Sequence, residues 1–156
     1  MILLLNINFF LFILKNLKLT LFYTFLEHKI EILVRYSETD QMSFVYHGNY
    51  VKYFEMGRIA WLKNKGISYK DMEDNGIINP VIDLQINFRK PALFDDKLIL
   101  TTSLKQSPSY MIEFNYQIHR EKELLTHGYT RLIFLNSENK KPIRCPDYIL
   151  EKIKMA

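Results

Sequence analysis

Cysteine is nearly absent from this 156-residue sequence, in which Cys145 is the only one. A single cysteine excludes an intramolecular disulfide and a cysteine-rich zinc site, and it fits a reducing compartment. The histidines His28, His119 and His127 show no metal-ligand spacing with one another. We therefore expect a cytoplasmic protein without a metal site.

Several motifs that carry common chemistries are also missing. The sequence has no Gly-x-Ser-x-Gly elbow, no Gly-x-Gly-x-x-Gly turn and no phosphate-binding P-loop, which argues against a serine hydrolase of the α/β type and against common nucleotide sites. The net charge is +4, but no block of five or more Lys and Arg marks a nucleic-acid arm. We expect no nucleic-acid partner.

Residues 1–26 differ in composition from the rest of the chain. They are apolar and aromatic, but Asn6, Asn8, Lys15 and Lys18 interrupt them. They lack the basic start and small-residue cleavage site of a secretory signal, and the run of about 20 apolar residues of a membrane span. We expect an extension outside the fold, an artefact of start-site assignment, with 27–156 as one domain. The alternatives are a membrane-associating anchor and an ordered added element.

The rest of the chain predicts an α+β fold. Apolar residues at helical spacing predict a helix from Asn49 to Lys65, apolar around most of its circumference and therefore buried, which ends at Gly66. Ser68 and Asp71 form a capping pattern for a short second helix. An antiparallel sheet wrapped around the long helix satisfies this order, because the helix needs burial and the sheet needs cover. The predicted strands are 30–36, 82–88, 98–104, 112–118 and 124–135, followed by a short helix at 146–154.

Asp40 lies in a polar turn between the first strand and the long helix. The first N–H groups of a helix have no internal partner, and the helix dipole places partial positive charge there. A carbonyl oxygen that gains negative charge would be stabilised beside them. The junction therefore predicts a base or nucleophile next to an electrophilic cradle.

Three segments of the chain resemble one enzyme family. They are Thr39-Asp40-x-x-x-x-Val45-Tyr46-His47-x-Asn49-Tyr50 with Tyr53-Phe54-Glu55-x-x-Arg58, then Asn87 to Asp96, then Gly128-x-Thr130-x-x-Ile133-Phe134. Together they are similar to the 4-hydroxybenzoyl-CoA thioesterase family, in the branch of bacterial acyl-CoA thioesterases often associated with the Tol-Pal system. The resemblance covers roughly Lys29 to Ile149. It implies the hotdog fold, an antiparallel sheet of about five strands around one long central helix, and a homodimer or homotetramer with sites at the subunit junction.

The resemblance also assigns roles to site residues. Asp40 would be the general base or the nucleophile of acyl-CoA hydrolysis, and the backbone amide of His47 would polarise the thioester carbonyl. Tyr46 and Asn49 would shape the pocket and cap the helix. Ser43 stands where the family usually has Gly, which predicts a changed loop backbone and a narrower site. The CoA thioester is the substrate, and no separate cofactor is implied.

Arg89 and Lys90 form the basic pair expected to meet the phosphates of coenzyme A. Each site residue also has a structural interpretation. Asp40 is of a type common in turns, Arg89 and Lys90 are of types usually solvated, and Glu55 and Arg58 have the spacing of a helix ion pair.

Other functions stay open at this level. The same fold serves acyl-carrier-protein thioesterases and dehydratases, and a dehydratase would need a His and an acid facing each other across the dimer. A non-catalytic acyl-binding or scaffold protein, held at a membrane by residues 1–26, is the third alternative.

Overall fold

The computed structural model describes residues 27–155, and the predicted extension at residues 1–26 lies outside them. The elements in chain order are β1 (Glu27–Leu33), a 3-10 turn (Tyr36–Glu38), α1 (His47–Asn64), α2 (Tyr69–Asp74), β2 (Ile77–Ile78), β3 (Val81–Phe88), β4 (Lys97–Leu104), β5 (Met111–Arg120), β6 (Glu123–Ile133), β7 (Leu135–Asn136) and α3 (Asp147–Met155).

Five strands form one antiparallel sheet in the order β1-β4-β5-β6-β3. The neighbours β4, β5 and β6 follow one another in the chain, whereas β1 pairs with β4 and β3 pairs with β6. Among the described residues, the edges of this sheet are therefore β1 and β3. The short strands β2 and β7 pair separately. A five-stranded antiparallel sheet with one long helix confirms the predicted hotdog architecture.

The inner face of α1 packs on the sheet through large aromatic side chains. Phe54 stacks on Tyr116 of β5 with ring centroids 4.2 Å apart, and Trp61 meets Phe114 edge-on at 5.3 Å. All four side chains are fully buried. Fully burying a side chain of this size stabilises the fold by about 1.5–3 kcal/mol, so this aromatic layer fixes α1 against the sheet.

The predicted burial of α1 around most of its circumference is wrong for the single chain. Val51, Met56 and Ile59 on its outer face are 39%, 45% and 42% exposed. The reason is geometric, since one sheet covers only one face of the helix.

The ends of the helices follow the predicted sequence signals. Gly66 has φ +69°, the N–H of Gly66 donates to Lys63 O, and the N–H of Ile67 donates to Leu62 O. These bonds are those of a Schellman motif, which favours glycine at this left-handed position. The Ser68 hydroxyl accepts the N–H of Asp71 at 3.2 Å and caps α2. Both predicted signals are confirmed.

The segment between β1 and α1 differs from the prediction. The strand ends at Leu33 instead of Tyr36, because Tyr36 to Glu38 turn into the 3-10 segment. The helix begins at His47, two residues before the predicted start. None of the helices within residues 27–155 has the length and apolar character that crossing a bilayer requires.

Candidate active site

A cleft of about 290 Å³ lies where the loop after β1, the start of α1 and the end of β3 meet. Four of the predicted site residues line it, namely Asp40, His47, Arg89 and Lys90. Its other walls are mainly apolar, and they come from Met42, Phe44, Val45, Tyr50, Phe88 and Pro91. The structure thus brings together the predicted base, the predicted carbonyl donor and the basic pair.

One oxygen of the Asp40 carboxylate holds its own loop. Oδ1 accepts the N–H of Met42 at 2.8 Å and the N–H of Phe44 at 3.3 Å, which is the Asx-turn role that aspartate commonly has. Within the described part of the chain, Oδ2 accepts no hydrogen bond. In Asp40, Oδ1 therefore holds the turn, while Oδ2 has no hydrogen-bond partner among the described residues.

The start of α1 presents backbone donors at the same cleft. The N–H groups of His47 and Gly48 have no acceptor among residues 27–155, as expected for the first turn of a helix. His47 lines the cleft. An oxygen that gains negative charge there meets unpaired N–H groups and the positive end of the helix dipole.

Tyr50 forms the floor of the cleft. It is 2% exposed, its ring meets Phe88 edge-on at 5.1 Å, and its hydroxyl accepts the N–H of Ala92 at 3.4 Å. Burial raises the pKa of Tyr50, so the hydroxyl stays protonated at neutral pH. Tyr50 and Phe88 give the cleft an aromatic lining.

The two basic residues at the cleft have different partners. Arg89 Nε donates to His127 Nδ1 at 3.3 Å, and Lys90 forms an ion pair with Glu123. Glu123 is in turn paired with Arg120. Arg89 is therefore the basic group less constrained by carboxylates, and Lys90 would have to leave Glu123 to reach a phosphate.

Three predicted pocket residues do not line this cleft. Tyr46 precedes α1 as its N-cap, makes no side-chain capping bond and lies against the His47 ring with centroids 4.2 Å apart. Asn49 is buried, and its Nδ2 donates to Glu38 O at 2.8 Å. The predicted capping of the helix by Asn49 is therefore wrong, because its amide binds a carbonyl of the preceding loop. Ser43 is exposed and does not narrow the cleft.

Ser43 has φ +65°, the left-handed conformation that glycine adopts most easily. The predicted change in the loop backbone is not caused by Ser43, because Ser43 adopts the same left-handed conformation that a glycine would adopt at this position. The Ser43 N–H donates to Asp40 O at 2.9 Å and closes the turn.

The backbone at Ser43 leads to a stability prediction. Ser43→Gly is expected to raise the free energy of unfolding by up to about 1 kcal/mol, because it relieves the positive φ. Ser43→Val is expected to lower it by about 1–2 kcal/mol, since a β-branched side chain disfavours this conformation more strongly. Urea denaturation measures both, and equal stabilities of the two variants would contradict the assigned backbone.

Sequence reasoning missed Glu38, a buried carboxylate that stands two residues before Asp40. Oε1 accepts Arg35 Nη2 at 2.8 Å, and Oε2 accepts the Arg35 N–H at 2.8 Å and the Tyr53 hydroxyl at 3.1 Å. Burial alone would raise the pKa of Glu38, but these hydrogen bonds stabilise the charged form and hold the pKa below its usual range. The only sequence signal was its place in the polar turn.

Glu38 leads to a prediction of pH-dependent stability. Its folded pKa is lower than the unfolded one, so the ionised group stabilises the fold above the unfolded pKa of about 4.3, and this contribution is lost as the pH falls through the folded pKa. Urea denaturation between about pH 6 and pH 3 should show a shallower loss of stability in Glu38→Gln than in wild type. A residual slope is expected from Glu113, whose burial is outweighed by hydrogen bonds from Lys105 and Arg131 that lower its pKa. Identical slopes in the two proteins would contradict the role of Glu38.

Glu55 and Arg58 on α1 form the predicted helix ion pair, at 3.3 Å between Oε2 and Nη2. Neither lines the cleft. Within residues 27–155, no group of three or more His, Cys, Asp or Glu side chains is arranged to hold a metal ion.

Comparison with known proteins assigns this chain to a family. Residues 34–153 match the thioesterase-like superfamily. The chain is 37% identical over 117 residues to the putative acyl-CoA thioesterase YneP of Bacillus subtilis, which covers 74% of this chain and 85% of that protein. It is 24% identical over 124 residues to the acyl-CoA thioester hydrolase YbgC of Escherichia coli, covering 79% and 92% of the two proteins.

A solved structure agrees with the sequence relatives. The DHNA-CoA thioesterase from Staphylococcus aureus superimposes with a TM-score of 0.76 at 38% identity, covering 83% of this chain and 91% of that one. The family match at residues 34–153 contains the cleft, α1 and the strands β3, β4, β5 and β6 of the sheet, and it begins directly after β1. The chain therefore belongs to the thioesterase-like superfamily.

Proposed function

We propose that this protein is an acyl-CoA thioesterase, which hydrolyses a CoA thioester to a free carboxylic acid and CoA. The observation that carries the proposal is that Asp40 and His47 line one cleft, and that an Asp40 carboxylate oxygen and the His47 N–H have no partner among residues 27–155. Family membership supports the reaction class. The lone cysteine supports a cytoplasmic location.

Asp40 supplies the reacting carboxylate by one of two routes. As a general base it takes a proton from water while the water oxygen bonds to the thioester carbon, after which the C–S bond breaks and the CoA sulfur takes the proton. As a nucleophile it bonds to that carbon, releases CoA thiolate and leaves an anhydride that water hydrolyses. Both routes give the same products and need no separate cofactor.

The His47 N–H stabilises the oxygen of the attacked carbonyl. That oxygen gains negative charge as the carbon becomes tetrahedral, and a preorganised backbone donor at a helix start is suited to bind it. The imidazole is not needed for this role. The donor and Asp40 act on the same carbon from different elements of the cleft.

The phosphates of CoA are proposed to bind at the basic edge of the cleft. Arg89 makes this contact with a charge-assisted hydrogen bond, because its side-chain partner is a ring nitrogen of His127 and not a carboxylate. Lys90 contributes less than Arg89, because Glu123 competes for it.

We propose that two copies pair along β3. This edge strand carries Ile82, Leu84 and Phe88, whose side chains are 51%, 37% and 54% exposed. An exposed apolar edge strand favours pairing with another strand. Phe88 also lines the cleft, so a partner at β3 would lie beside the reacting groups.

Sedimentation tests this pairing. The wild-type chain of 18.7 kDa is expected to sediment as a dimer or tetramer, and the Ile82→Lys/Leu84→Lys double variant as a monomer, since edge lysines oppose strand pairing. Leu33→Lys on the opposite edge strand β1 is the matched control, because Leu33 is also exposed. A monomeric wild type, or equal dissociation by the control, would contradict pairing at β3.

The activity itself is tested with thioesters of matched acyl chains on two carriers. Wild type is assayed with short, medium, long and aryl acyl-CoA esters, and with the same acyl groups on an acyl carrier protein. Turnover of CoA esters above carrier-protein esters is the expected result. The reverse preference would assign the protein to carrier-protein substrates, and a lack of turnover on both would favour a binding or scaffold role.

A further inference from the structure

We propose that Glu38 is a positioning residue that sets the Asp40 loop against the start of α1 through the Tyr53 hydroxyl and the Asn49 amide. This inference rests on the proposed function, because it assigns Glu38 a part in the hydrolysis at that cleft.

The backbone of Glu38 holds the first turn of α1. Its carbonyl oxygen accepts the N–H of Tyr46 and the Nδ2 of Asn49, both at 2.8 Å. Tyr46 is the residue directly before His47, and the His47 N–H belongs to the peptide group that joins the two. The backbone orientation of Tyr46 therefore determines the direction of the His47 N–H, the proposed carbonyl donor. The backbone position of Glu38 and the direction of the His47 N–H are therefore linked.

The side chain of Glu38 holds the second turn of the same helix. The Tyr53 hydroxyl donates to Oε2 at 3.1 Å, and Arg35 binds the carboxylate through its N–H and its guanidinium. Glu38 is 6% exposed and Tyr53 is 1% exposed. Burial and the neighbouring Glu38 charge raise the pKa of Tyr53, so its hydroxyl stays protonated as a donor.

Asp40 lies two residues beyond this anchor. Thr39 pairs with Val45 across the loop, and the Asp40 N–H donates to Phe44 O at 2.8 Å. The loop therefore forms a closed turn that directly follows Glu38. Glu38 is bound to α1 through both its backbone carbonyl and its side chain. Glu38 therefore links the loop that carries the reacting carboxylate to the helix start that carries the carbonyl donor.

Tyr53→Phe tests this role with the smallest change, because it removes only the hydroxyl that links the Glu38 side chain to α1. A displacement near 1 Å at a reacting centre lowers rates up to about a hundredfold, and we expect kcat to fall about tenfold with little change in KM. Glu38→Gln is the second variant, with a loss of similar size. Both are measured well below the unfolding temperature, so that loss of folded protein does not contribute.

Tyr116→Phe is the matched control. Tyr116 is a buried tyrosine whose hydroxyl bonds to Thr130 at 2.7 Å in the core, and it does not line the cleft. This variant loses one buried hydroxyl, as Tyr53→Phe does, and is expected to keep kcat within about twofold of wild type, since no reacting group moves. A kcat for Tyr53→Phe equal to wild type, or equal losses in both variants, would overturn the inference.

A second readout does not depend on activity. The amide hydrogen-exchange rates of Met42 and Phe44, whose N–H groups bind Asp40, should rise about tenfold in Tyr53→Phe and stay unchanged in Tyr116→Phe. If wild type hydrolyses no thioester, the proposed function fails, while the exchange rates still decide whether Glu38 positions the loop. Unchanged exchange in Tyr53→Phe would overturn the positioning role by itself.

Discussion

Asp40→Asn is expected to lower kcat for thioester hydrolysis by about a thousandfold, the range observed when a positioned base is removed. Asparagine keeps a side-chain oxygen that accepts the N–H of Met42, as Oδ1 does in wild type. The loop should therefore keep its turn, and the variant loses only the charge. KM is expected to change little, because the cleft walls and Arg89 remain.

The control for this result is Asp40→Ala, which loses the charge and the turn acceptor together. It should be as inactive as Asp40→Asn but less stable in urea by about 1 kcal/mol, the usual contribution of one hydrogen bond. Full activity of the asparagine variant would exclude Asp40 from the reaction and leave it as a turn residue only.

Gly128→Ala is expected to lower the free energy of unfolding by about 3 kcal/mol or more, beyond the usual range for added volume because backbone must move. Gly128 lies in β6 opposite Ile86 of β3. An added Cβ would stand 2.1 Å from Gln85 O and 2.9 Å from Phe54 Cε2. To relieve these clashes, β3 would have to move away from β6, or α1 would have to move away from the sheet. Urea denaturation gives the stability.

Gly66→Ala separates this effect from the general loss of a glycine. Gly66 has φ +69°, and no atom of residues 27–155 lies within 4 Å of an added Cβ, so the substitution introduces only backbone strain, about 1 kcal/mol. Equal losses of unfolding free energy in Gly66→Ala and Gly128→Ala would show that steric crowding at Gly128 does not determine the effect.

The parts of the site that are close in the chain could be predicted from the sequence. Asp40 and His47 lie in one loop and at one helix start, so local turn and helix signals place them together. Arg89 and Lys90 follow from the resemblance, and the structure brings them to the same cleft. Periodicity likewise predicted the long helix and the strands at 82–88, 98–104 and 112–118, because apolar and polar residues alternate along these three strands.

The parts that depend on tertiary contacts could not be predicted in this way. Glu38 in a polar turn has the sequence character of a solvated charge, and its burial depends on contacts with Tyr53 and Asn49, which are distant from it in the sequence. Phe88 and Tyr50 meet across the cleft from β3 and α1. The exposed outer face of α1 was mispredicted for a related reason, since apolar composition shows that a helix needs cover without showing which chain supplies it.

The strand order also has a consequence for how the protein folds. Because β1 pairs with β4, the Asp40 loop, α1, α2 and β3 all lie inside the chain segment that this pairing closes. The β4, β5 and β6 meander involves only local contacts and can form early, whereas closing a long segment is slow. Until β1 arrives, β4 is an open edge that can pair with another chain. We therefore expect the cleft to be completed late in folding, and we expect the protein to be most prone to aggregation in the interval before β1 docks.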